Sequence, residues 1–385
     1  MAALNRRSAR AAAAAAVEGA ATPFYFFDAA ALARAADRWR RAAGRRAKIF
    51  YPYKCNRHPP LLDSLAAAGF GAEINVPGDL SRAVARGIGP DRLVVHGPAK
   101  TGDFIDAAIA AGATLVIDGV EDADAVFARG RALGRRATYL LRLRSTHARA
   151  GQSDLGMPEE DVPAILERAR RGGRSLPSGL AFHLGTGLPG PGPYLASIRS
   201  VAKTADVLRE AGAPVRILDA GGGFSSSFES RFDDRGRPQR SVWTEPARII
   251  ADLASEAARR IGEVELWLEP GRALAAGAFH LVTRVVRVKG GREIFVDASR
   301  MSHAFFVSRG EHSVEAIPAR RGPVVTAAIA GPLGTDLDVL VRRVRMVLPR
   351  AGDVLVIGAV GAYNLIAASE WAGPLPQVVD GGALA

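Results

Sequence analysis

The chain of 385 residues is poor in cysteine, because Cys55 is its one thiol. A single thiol excludes an intrachain disulfide framework and is typical of proteins that work in a reducing compartment. We therefore expect a cytoplasmic protein. No apolar run in the sequence is long and uninterrupted enough to cross a bilayer, so no membrane partner is predicted.

Several catalytic and binding motifs are missing as well. The seven histidines show no ligand spacing of the His-Glu-x-x-His type, so no metal site is predicted. No Gly-x-Ser-x-Gly segment occurs, which argues against a serine hydrolase. The net charge is +12, but the arginines are spread along the predicted helices and no nucleic-acid-binding motif appears. The positive charge suits an anionic substrate or a cofactor phosphate instead.

Short apolar segments alternate regularly with alanine-rich amphipathic segments, which is typical of parallel βαβ units. The predicted strands are 47–53, 71–74, 92–96, 113–117, 137–143, 179–183, 215–219 and 264–268. The predicted helices are 29–44, 59–68, 78–87, 101–112, 119–134, 158–172, 194–212 and 244–261. Eight such strands in about 250 residues predict a (β/α)8 barrel.

The pattern changes near residue 277. Later segments are rich in β-forming residues with no convincing helix between them, and they lie at 279–288, 293–298, 324–329 and 353–360. We therefore predict a barrel domain over 28–276 and a β-sandwich domain formed by 1–27 and 277–385, to which an isolated strand at 22–27 contributes. Residues 1–21 contain an alanine run without a clear cleavage site, so we expect an N-terminal extension and not a targeting peptide.

Polar residues follow the predicted strands, at the end of the barrel where active sites of this fold lie. They are Lys54, Glu73, His96, Asp118, Arg144, His183, Asp219 and Glu269. Lys54 ends the first strand in the segment Ile-Phe-Tyr-Pro-Tyr-Lys-Cys-Asn. A lysine in this place is either a rim residue that reaches solvent or an amine whose pKa is lowered for Schiff-base chemistry.

Three loops favour the second interpretation. Phe-His-Leu-Gly-Thr-Gly (182–187) places an imidazole beside glycines, where the backbone lies close to a flat ligand. Asp-Ala-Gly-Gly-Gly-Phe (219–224) leaves backbone N–H groups available for an anion. Glu-Pro-Gly-Arg (269–272) is either an ordinary ion pair on a turn or a carboxylate that keeps a ring nitrogen protonated beside an anion-binding arginine.

A fourth segment, Gly-Ala-Tyr-Asn (361–364), brings a phenol flanked by small residues. Together the four segments and Lys54 suit a flat aromatic cofactor with an aldehyde, a phosphate and a ring nitrogen. Pyridoxal phosphate meets each of these demands.

In these five motifs, over about residues 22–370, the chain resembles the fold type III pyridoxal-phosphate decarboxylases, which include diaminopimelate, ornithine and arginine decarboxylases. The resemblance implies an alanine-racemase-like barrel with a β-sandwich domain. It also implies an enzyme that decarboxylates an amino acid, and a homodimer whose active site is shared between subunits.

The resemblance also implies a role for each motif. Lys54 would form the Schiff base with the cofactor, with Glu73 as the acidic residue beside it. His183 would stack on the cofactor ring and Glu269 would pair with its nitrogen, which makes Lys54, His183 and Glu269 the catalytic residues. The phosphate and substrate carboxylate would be lined by Gly221, Gly222, Gly223, Arg272 and Tyr363.

The chain departs from the family at the contacts to the distal end of the substrate. In Gly-Pro-Leu-Gly-Thr-Asp-Leu-Asp (331–338), Gly334 stands where the family has a proton-donating cysteine, and Thr335 stands where an acid recognises a distal amine. Ser302 and Phe306 align with the arginine and tyrosine that hold the distal carboxylate of diaminopimelate. A buried charge without its partner is strongly penalised, so these positions predict a neutral or unusual tail, as in a specialised biosynthetic pathway.

Alternatives remain at this stage. Asp336 meets a basic tail if the loop shifts by one residue, and the missing proton donor is Thr335, Asp336, His303, Tyr363 or water. His303 has a suitable pKa or is a solvated turn residue. Other functions consistent with the same motifs are racemisation or exchange at Cα, and a non-catalytic regulatory homologue that binds the cofactor. Retention of the cofactor contacts favours an enzyme.

Overall fold

The computed structural model describes Ala11, Ala14 and residues 19–145, 155–188, 190–226, 231–232, 238–239, 245–303 and 312–381. Phe306, a predicted substrate contact, lies outside these residues, as does most of the predicted extension 1–21. Among the helices in these ranges, none combines the length and the apolar character that a membrane crossing requires.

The first domain is a closed parallel barrel of eight strands in the order β11-β2-β3-β4-β5-β6-β7-β8. Its strands are β2 (Ala47–Pro52), β3 (Gly71–Ile74), β4 (Leu93–Val95), β5 (Thr114–Ile117), β6 (Thr138–Arg142), β7 (Gly179–Ala181), β8 (Ile217–Asp219) and β11 (Glu265–Leu268). Each lies inside a predicted segment, so the predicted barrel is confirmed. A short antiparallel pair, β9 (Arg231–Phe232) and β10 (Pro238–Gln239), follows β8.

Helices alternate with these strands. They are α1 (Ala29–Ala43), α2 (Pro59–Ala67), α3 (Pro77–Ala85), α4 (Gly102–Ala110), α5 (Val120–Ala132), α6 (Val162–Arg171), α7 (Gly192–Glu210), α8 (Pro246–Arg260) and α9 (Gly271–Ala275). Helix α1 shows how the sequence specifies them. The Asp28 carboxylate caps it by accepting from the Ala31 N–H, and Leu32, Ala36 and Trp39 form a stripe at helical spacing that is buried against the barrel.

The second domain is all-β. Its strands are β1 (Phe24–Phe27), β12 (Phe279–Lys289), β13 (Glu293–Val296), β14 (Val314–Ile317), β15 (Val324–Ala330), β16 (Val339–Val347), β17 (Val354–Ile357) and β18 (Gln377–Asp380). They form one sheet with the path β14-β17-β12-β13-β15-β16, and β1 pairs antiparallel with β12 and parallel with β18. Strands β14, β16 and β18 were not predicted, because charged or short segments hide their alternation.

The bore of the barrel is filled by apolar side chains, which we call the plug. Its buried members are Phe50, Val94, Val116, Leu140, Ala181 and Trp267. The Phe50 ring takes the space beside Gly71 in the neighbouring strand, where an added Cβ would lie 2.5 Å from its Cδ1. Because side chains alternate along a strand, the residue two positions after each plug residue also faces inward, above the plug.

The β domain is attached to the barrel beside Lys54. The Asn56 side-chain amide donates to the Gly361 carbonyl oxygen at 2.8 Å, and the Tyr363 N–H donates to the Cys55 carbonyl oxygen at 2.8 Å. Gly361 lies so close to the barrel that an added Cβ would collide with the carbonyl oxygen of Ala275. The two domains are therefore fixed to each other at the segment that carries the lysine.

We expect Gly361→Ala to lower the free energy of unfolding by on the order of 3 kcal/mol, because the methyl group meets rigid backbone that must move. Urea unfolding of the purified protein measures this. Gly192→Ala is the matched control, since an added Cβ there has open space at the start of α7, and its midpoint should stay close to that of the parent chain. Equal midpoints for the two variants would contradict the tight junction.

Candidate active site

A ring of polar side chains lies directly above the plug. Five of its members lie two positions after a plug residue, and they are His96, Asp118, Arg142, His183 and Glu269. Asp219 lies two positions after Ile217, which packs against the plug. Glu73 stands in the same relation to Gly71. The alternation also corrects one expectation: Arg144 is exposed, and Arg142 is the arginine of the ring. Its guanidinium lies 3.3 Å from the Asp118 carboxylate, and each of the two side chains is 9% exposed.

Lys54 contacts this ring through Glu73. Its Nζ lies 2.9 Å from Oε1 of Glu73, which is fully buried and also accepts from the Asn75 side chain at 2.5 Å. Burial disfavours the charged amine, but the carboxylates of Glu73 and Glu269 outweigh it and raise the pKa of Lys54. The prediction of a lowered pKa is therefore wrong for the protein without its cofactor, because two carboxylates distant in sequence meet the ammonium.

His183 is held as a neutral ring. Its Nδ1 accepts from the Gly222 N–H at 3.3 Å, which leaves the proton of the neutral imidazole on Nε2. Burial and the Lys54 ammonium lower the pKa of His183 to about 3. A flat, uncharged imidazole at this place suits stacking on an aromatic ligand.

The glycine loop after β8 needs glycine at each position. Gly221 and Gly223 have φ of +65° and +91°, a region that other residues rarely adopt. An added Cβ at Gly222 would lie 2.6 Å from the Glu269 carbonyl oxygen. The expectation of three available N–H groups is only partly met, since Gly221 donates to Asp219 at 2.8 Å and Gly222 donates to His183.

A support for this loop was missed in the sequence. Tyr194, on α7, donates its hydroxyl hydrogen to the Gly222 carbonyl oxygen at 2.7 Å. Its ring stacks on Phe224 with 4.9 Å between centroids and 4° between planes. Phe224 ends the predicted motif 219–224 but Tyr194 lies outside every motif, and their contact appears only when α7 is packed against the loop.

His96 lies between two carboxylates. Its Nε2 is 2.8 Å from Oε1 of Glu269 and 3.3 Å from Oδ2 of Asp219, and all three side chains are at most one-tenth exposed. Burial disfavours the imidazolium, but Glu269 and Asp219 raise the pKa of His96 to about 10. From the sequence, His96 is predicted to follow a barrel strand, but no function is predicted for it.

Arg272 and Tyr363 meet at the junction of the domains. The guanidinium carbon of Arg272 lies 5.2 Å from the centroid of the Tyr363 ring, a cation–π arrangement. Tyr363 has φ of +69°, a strained conformation that costs about 1–3 kcal/mol and that clusters at functional sites. Burial raises its pKa well above the ordinary value, so the phenol keeps its proton.

His312 is a further residue near Arg272 that the sequence did not indicate. Its Nδ1 donates to the Gly358 carbonyl oxygen at 2.9 Å. Burial, with the Arg272 guanidinium nearby, lowers the pKa of His312 to about 4, although that hydrogen bond opposes the shift. It lies just before β14, outside every motif that the sequence offers.

Four predicted substrate residues lie elsewhere. Ser302 is buried and accepts from the Ala372 N–H at 3.1 Å, and His303 is buried with Nδ1 donating to the Ser299 carbonyl oxygen at 3.0 Å. The alternative of His303 as a solvated turn residue is therefore wrong, and burial lowers its pKa. Thr335 and Asp336 are exposed. Within the described ranges, no hydrogen bond or ion pair joins these four to Lys54, His183 or Glu269.

The opposite shifts of the buried histidines predict how stability depends on pH in the cofactor-free protein. His96 binds its proton more tightly when folded, so its contribution is complete below about pH 6.5 and is lost as the pH rises toward 10. We expect the free energy of unfolding to fall between pH 7 and 8.5 with a slope of up to about 1.4 kcal/mol per pH unit. His96→Asn should remove this fall, as measured by urea unfolding at each pH.

His280→Asn is the matched control. Burial lowers the pKa of His280 to about 4, so its effect on stability lies on the acid side, between about pH 6.5 and 4. This variant should keep the alkaline fall and make the acid loss shallower. An alkaline fall of the same size in His96→Asn would show that Glu269 and Asp219 do not hold a proton on His96.

The donor set fits pyridoxal phosphate. An amine touches a carboxylate, a neutral imidazole belongs to the same ring of polar side chains, and buried Glu269, paired with His96 at 2.8 Å, supplies a carboxylate for a ring nitrogen. The glycine loop lies where side chains would collide. These features suit a flat group with an aldehyde, a basic ring nitrogen and a phosphate.

Comparisons with known proteins agree with this set. Residues 29–276 match the model of the pyridoxal-binding domain of pyridoxal-dependent decarboxylases. The chain is 33% identical over 355 residues to diaminopimelate decarboxylase of Deinococcus radiodurans, covering 91% of this chain and 87% of the relative. It is 26% identical over 371 residues to chloroplastic ornithine decarboxylase of Nicotiana glauca, covering 91% and 81%.

A solved structure shows the same fold. Diaminopimelate decarboxylase from Helicobacter pylori, complexed with L-lysine, superposes with a TM-score of 0.82 at 22% identity, covering 96% of this chain and 93% of the other. The barrel with its separate β domain is thus the fold of that enzyme. The match of this chain to the pyridoxal-binding domain, together with a relative that is more than 30% identical to it, establishes the family. The chain belongs to the pyridoxal-phosphate-dependent amino acid decarboxylases of fold type III, and pyridoxal phosphate is its cofactor.

Proposed function

We propose that the protein removes the α-carboxylate, as CO2, from an amino acid whose distal group is neither the amino acid group of diaminopimelate nor the amine of ornithine. We also propose that Lys54, His183 and Glu269 are the catalytic residues. The observation that carries the second proposal is the contact of Lys54 with Glu73 in the ring that also holds His183 and Glu269.

When bound, pyridoxal phosphate supplies an aldehyde for amines and a ring that accepts an electron pair. Lys54 must lose its proton before its nitrogen can bind the aldehyde carbon. The Glu73 carboxylate lies 2.9 Å from that nitrogen and stabilises the ammonium before the proton leaves. Because Glu73 is fully buried, we assign it the role of positioning Lys54.

The remaining residues orient the site. Glu269 carries a buried negative charge that favours a proton on a ring nitrogen, and neutral His183 lies in the same ring of polar side chains. Gly223 of the glycine loop and Arg272 supply an N–H donor and a positive charge for the phosphate and for the substrate carboxylate. Tyr363 is held beside Arg272 with its hydroxyl protonated.

A second copy of the chain completes the site in this proposal. The segment 331–338 is anchored at its end, because the buried Asp338 carboxylate accepts from Ser299, Arg300 and Leu333. Its middle is exposed, including Thr335 and Asp336. An anchored loop with an exposed tip suits insertion into a partner, so we propose a homodimer in which this tip reaches the other subunit's substrate.

The same loop supports the proposed lack of charge at the distal end of the substrate. Gly334, Thr335 and Ser302 are uncharged, and Ser302 is hydrogen-bonded within the β domain. These positions support a neutral or apolar tail. The similarity to diaminopimelate decarboxylase of Deinococcus radiodurans favours diaminopimelate instead, so this compound is the most direct test.

We expect amino acids with neutral tails to lose CO2 fastest in a mass-spectrometric screen of neutral, basic and acidic tails in D2O with added pyridoxal phosphate. The product should carry deuterium at Cα, since solvent supplies that proton. Turnover of meso-diaminopimelate or ornithine above every neutral amino acid would refute the proposed tail. Deuterium gained with the carboxylate intact would identify exchange or racemisation and would make Gly334 part of a changed reaction.

The variant Asp336→Asn tests the alternative that Asp336 binds a basic group at the distal end of the substrate. If the loop places Asp336 against a distal amine, this variant should lose activity toward lysine or ornithine about 100-fold or more, because the amine is left without its charge partner. We expect no such selective loss. The kcat/KM values for one basic and one neutral amino acid, compared between parent and variant, give the answer.

Lys54→Ala should abolish the visible absorption of the bound cofactor's Schiff base and, with it, turnover. Lys48→Ala is the control, because Lys48 lies in β2 at the opposite end of the barrel and pairs with Glu265 at 3.1 Å. It should keep both the absorption and the activity. Absorption that persists in Lys54→Ala would exclude Lys54 as the attachment point. Absorption without turnover of any amino acid in the parent chain would identify a non-catalytic homologue.

A further inference from the structure

Three ionisable side chains from different strands meet beside the proposed position of the cofactor ring. His96 follows β4, Asp219 ends β8 and Glu269 follows β11. The His96 Nε2 lies 2.8 Å from the Glu269 carboxylate and 3.3 Å from the Asp219 carboxylate, at distances of an ion pair. With relative exposures of 8%, 0% and 4% respectively, solvent screens these charges little.

The Asp219 and Glu269 carboxylates both lie within 3.3 Å of the same His96 nitrogen. Their negative charges repel each other in this poorly screened place unless a cation lies between them. Asp219 is fixed in place because its Oδ1 accepts from the Gly221 N–H at 2.8 Å. The Glu269 backbone N–H donates to the Gly221 carbonyl oxygen at 2.9 Å. His96 is the cation in contact with both carboxylates.

Other charges face His96 less directly. Glu73, after β3, adds negative charge, but its Oε1 is already paired with the Lys54 ammonium at 2.9 Å. His183 is uncharged in the described structure. The balance therefore leaves His96 protonated at neutral pH, in agreement with its raised pKa.

We propose that His96 is a positioning residue that keeps Glu269 ionised, and that it thereby keeps a proton on the pyridine nitrogen of the bound cofactor. The proposal rests on the proposed function, in which Glu269 faces that nitrogen. A protonated Glu269 is neutral and gives up most of its preference for a charged ring. His96 thus acts on the cofactor through Glu269 and sets how strongly the ring withdraws electrons from the substrate.

Replacement of His96 tests this without relying on activity. The holoenzyme is prepared with pyridoxal phosphate labelled with 15N in the ring, and the 15N chemical shift reports the proton on the nitrogen. We expect a protonated ring in the parent chain near pH 7.5. In His96→Asn, and in His96→Gln as a second neutral variant, we expect the ratio of protonated to unprotonated ring to fall about tenfold or more, corresponding to one pKa unit.

Two further variants separate a charge effect from a structural one. His96→Lys restores a cation and should restore the protonated ring, which a loss of packing alone would not explain. His280→Asn, a buried histidine on β12, should leave the 15N signal unchanged. Glu73, His96 and Glu269 offer ligand atoms within 4.8 Å of one another, so the samples contain a chelator that removes any bound metal ion.

Glu269→Gln distinguishes the failure of this proposal from that of the proposed function. If Glu269→Gln shifts the 15N signal but neither neutral His96 variant does, then Glu269 contacts the ring and the role of His96 is refuted. If Glu269→Gln leaves the signal unchanged, the assignment of Glu269 itself is wrong. If both shift the signal and the double variant shifts it no further, His96 acts through Glu269 as proposed.

Discussion

The alternation of side chains along eight short strands is the constraint on which the rest of the site depends. An apolar plug closes the bore, and the next inward position is polar on seven of the eight strands, the exception being Pro52 on β2. The plug removes water from below, so the charges above it lie in a medium that screens them poorly. They are consequently arranged in contacts of opposite sign, which are Lys54 with Glu73, Arg142 with Asp118, and His96 with Glu269 and Asp219.

The same medium gives two histidines opposite properties. His183 meets a backbone N–H and a nearby ammonium, so burial keeps it neutral. His96 meets two carboxylates, which overcome burial and keep it charged. Residue type does not decide between a neutral ring and a cation. The neighbours decide, and a barrel brings a different neighbour to each strand end.

Because such neighbours come from distant parts of the chain, the sequence predicts the elements of the fold better than the charges of the site. Strands, helices and the five motifs depend on local pattern, and the structure contains all eight predicted barrel strands. Arg142 was missed because the predicted strand, 137–143, ends one residue beyond β6, so Arg144, which follows it, was taken as the polar residue of the strand end. The pKa of Lys54 is raised by Glu73 and Glu269. His96 is paired with Glu269, which also lies more than 170 residues away from both of them in the sequence. Strand β16 was missed since its arginines interrupt the apolar pattern, and Phe306 lies outside the described residues.

The attachment of the β domain beside Lys54 has a consequence for how this architecture can change. The ring belongs to the barrel, yet the backbone next to Lys54 is held by Tyr363 and Gly361 from the other domain. The barrel therefore does not position Lys54 by itself, although it contains every side chain of the ring. Replacing the β domain by that of a relative would therefore change more than the contacts to the substrate. It would also change the position of the Lys54 amine, so the two properties cannot vary independently.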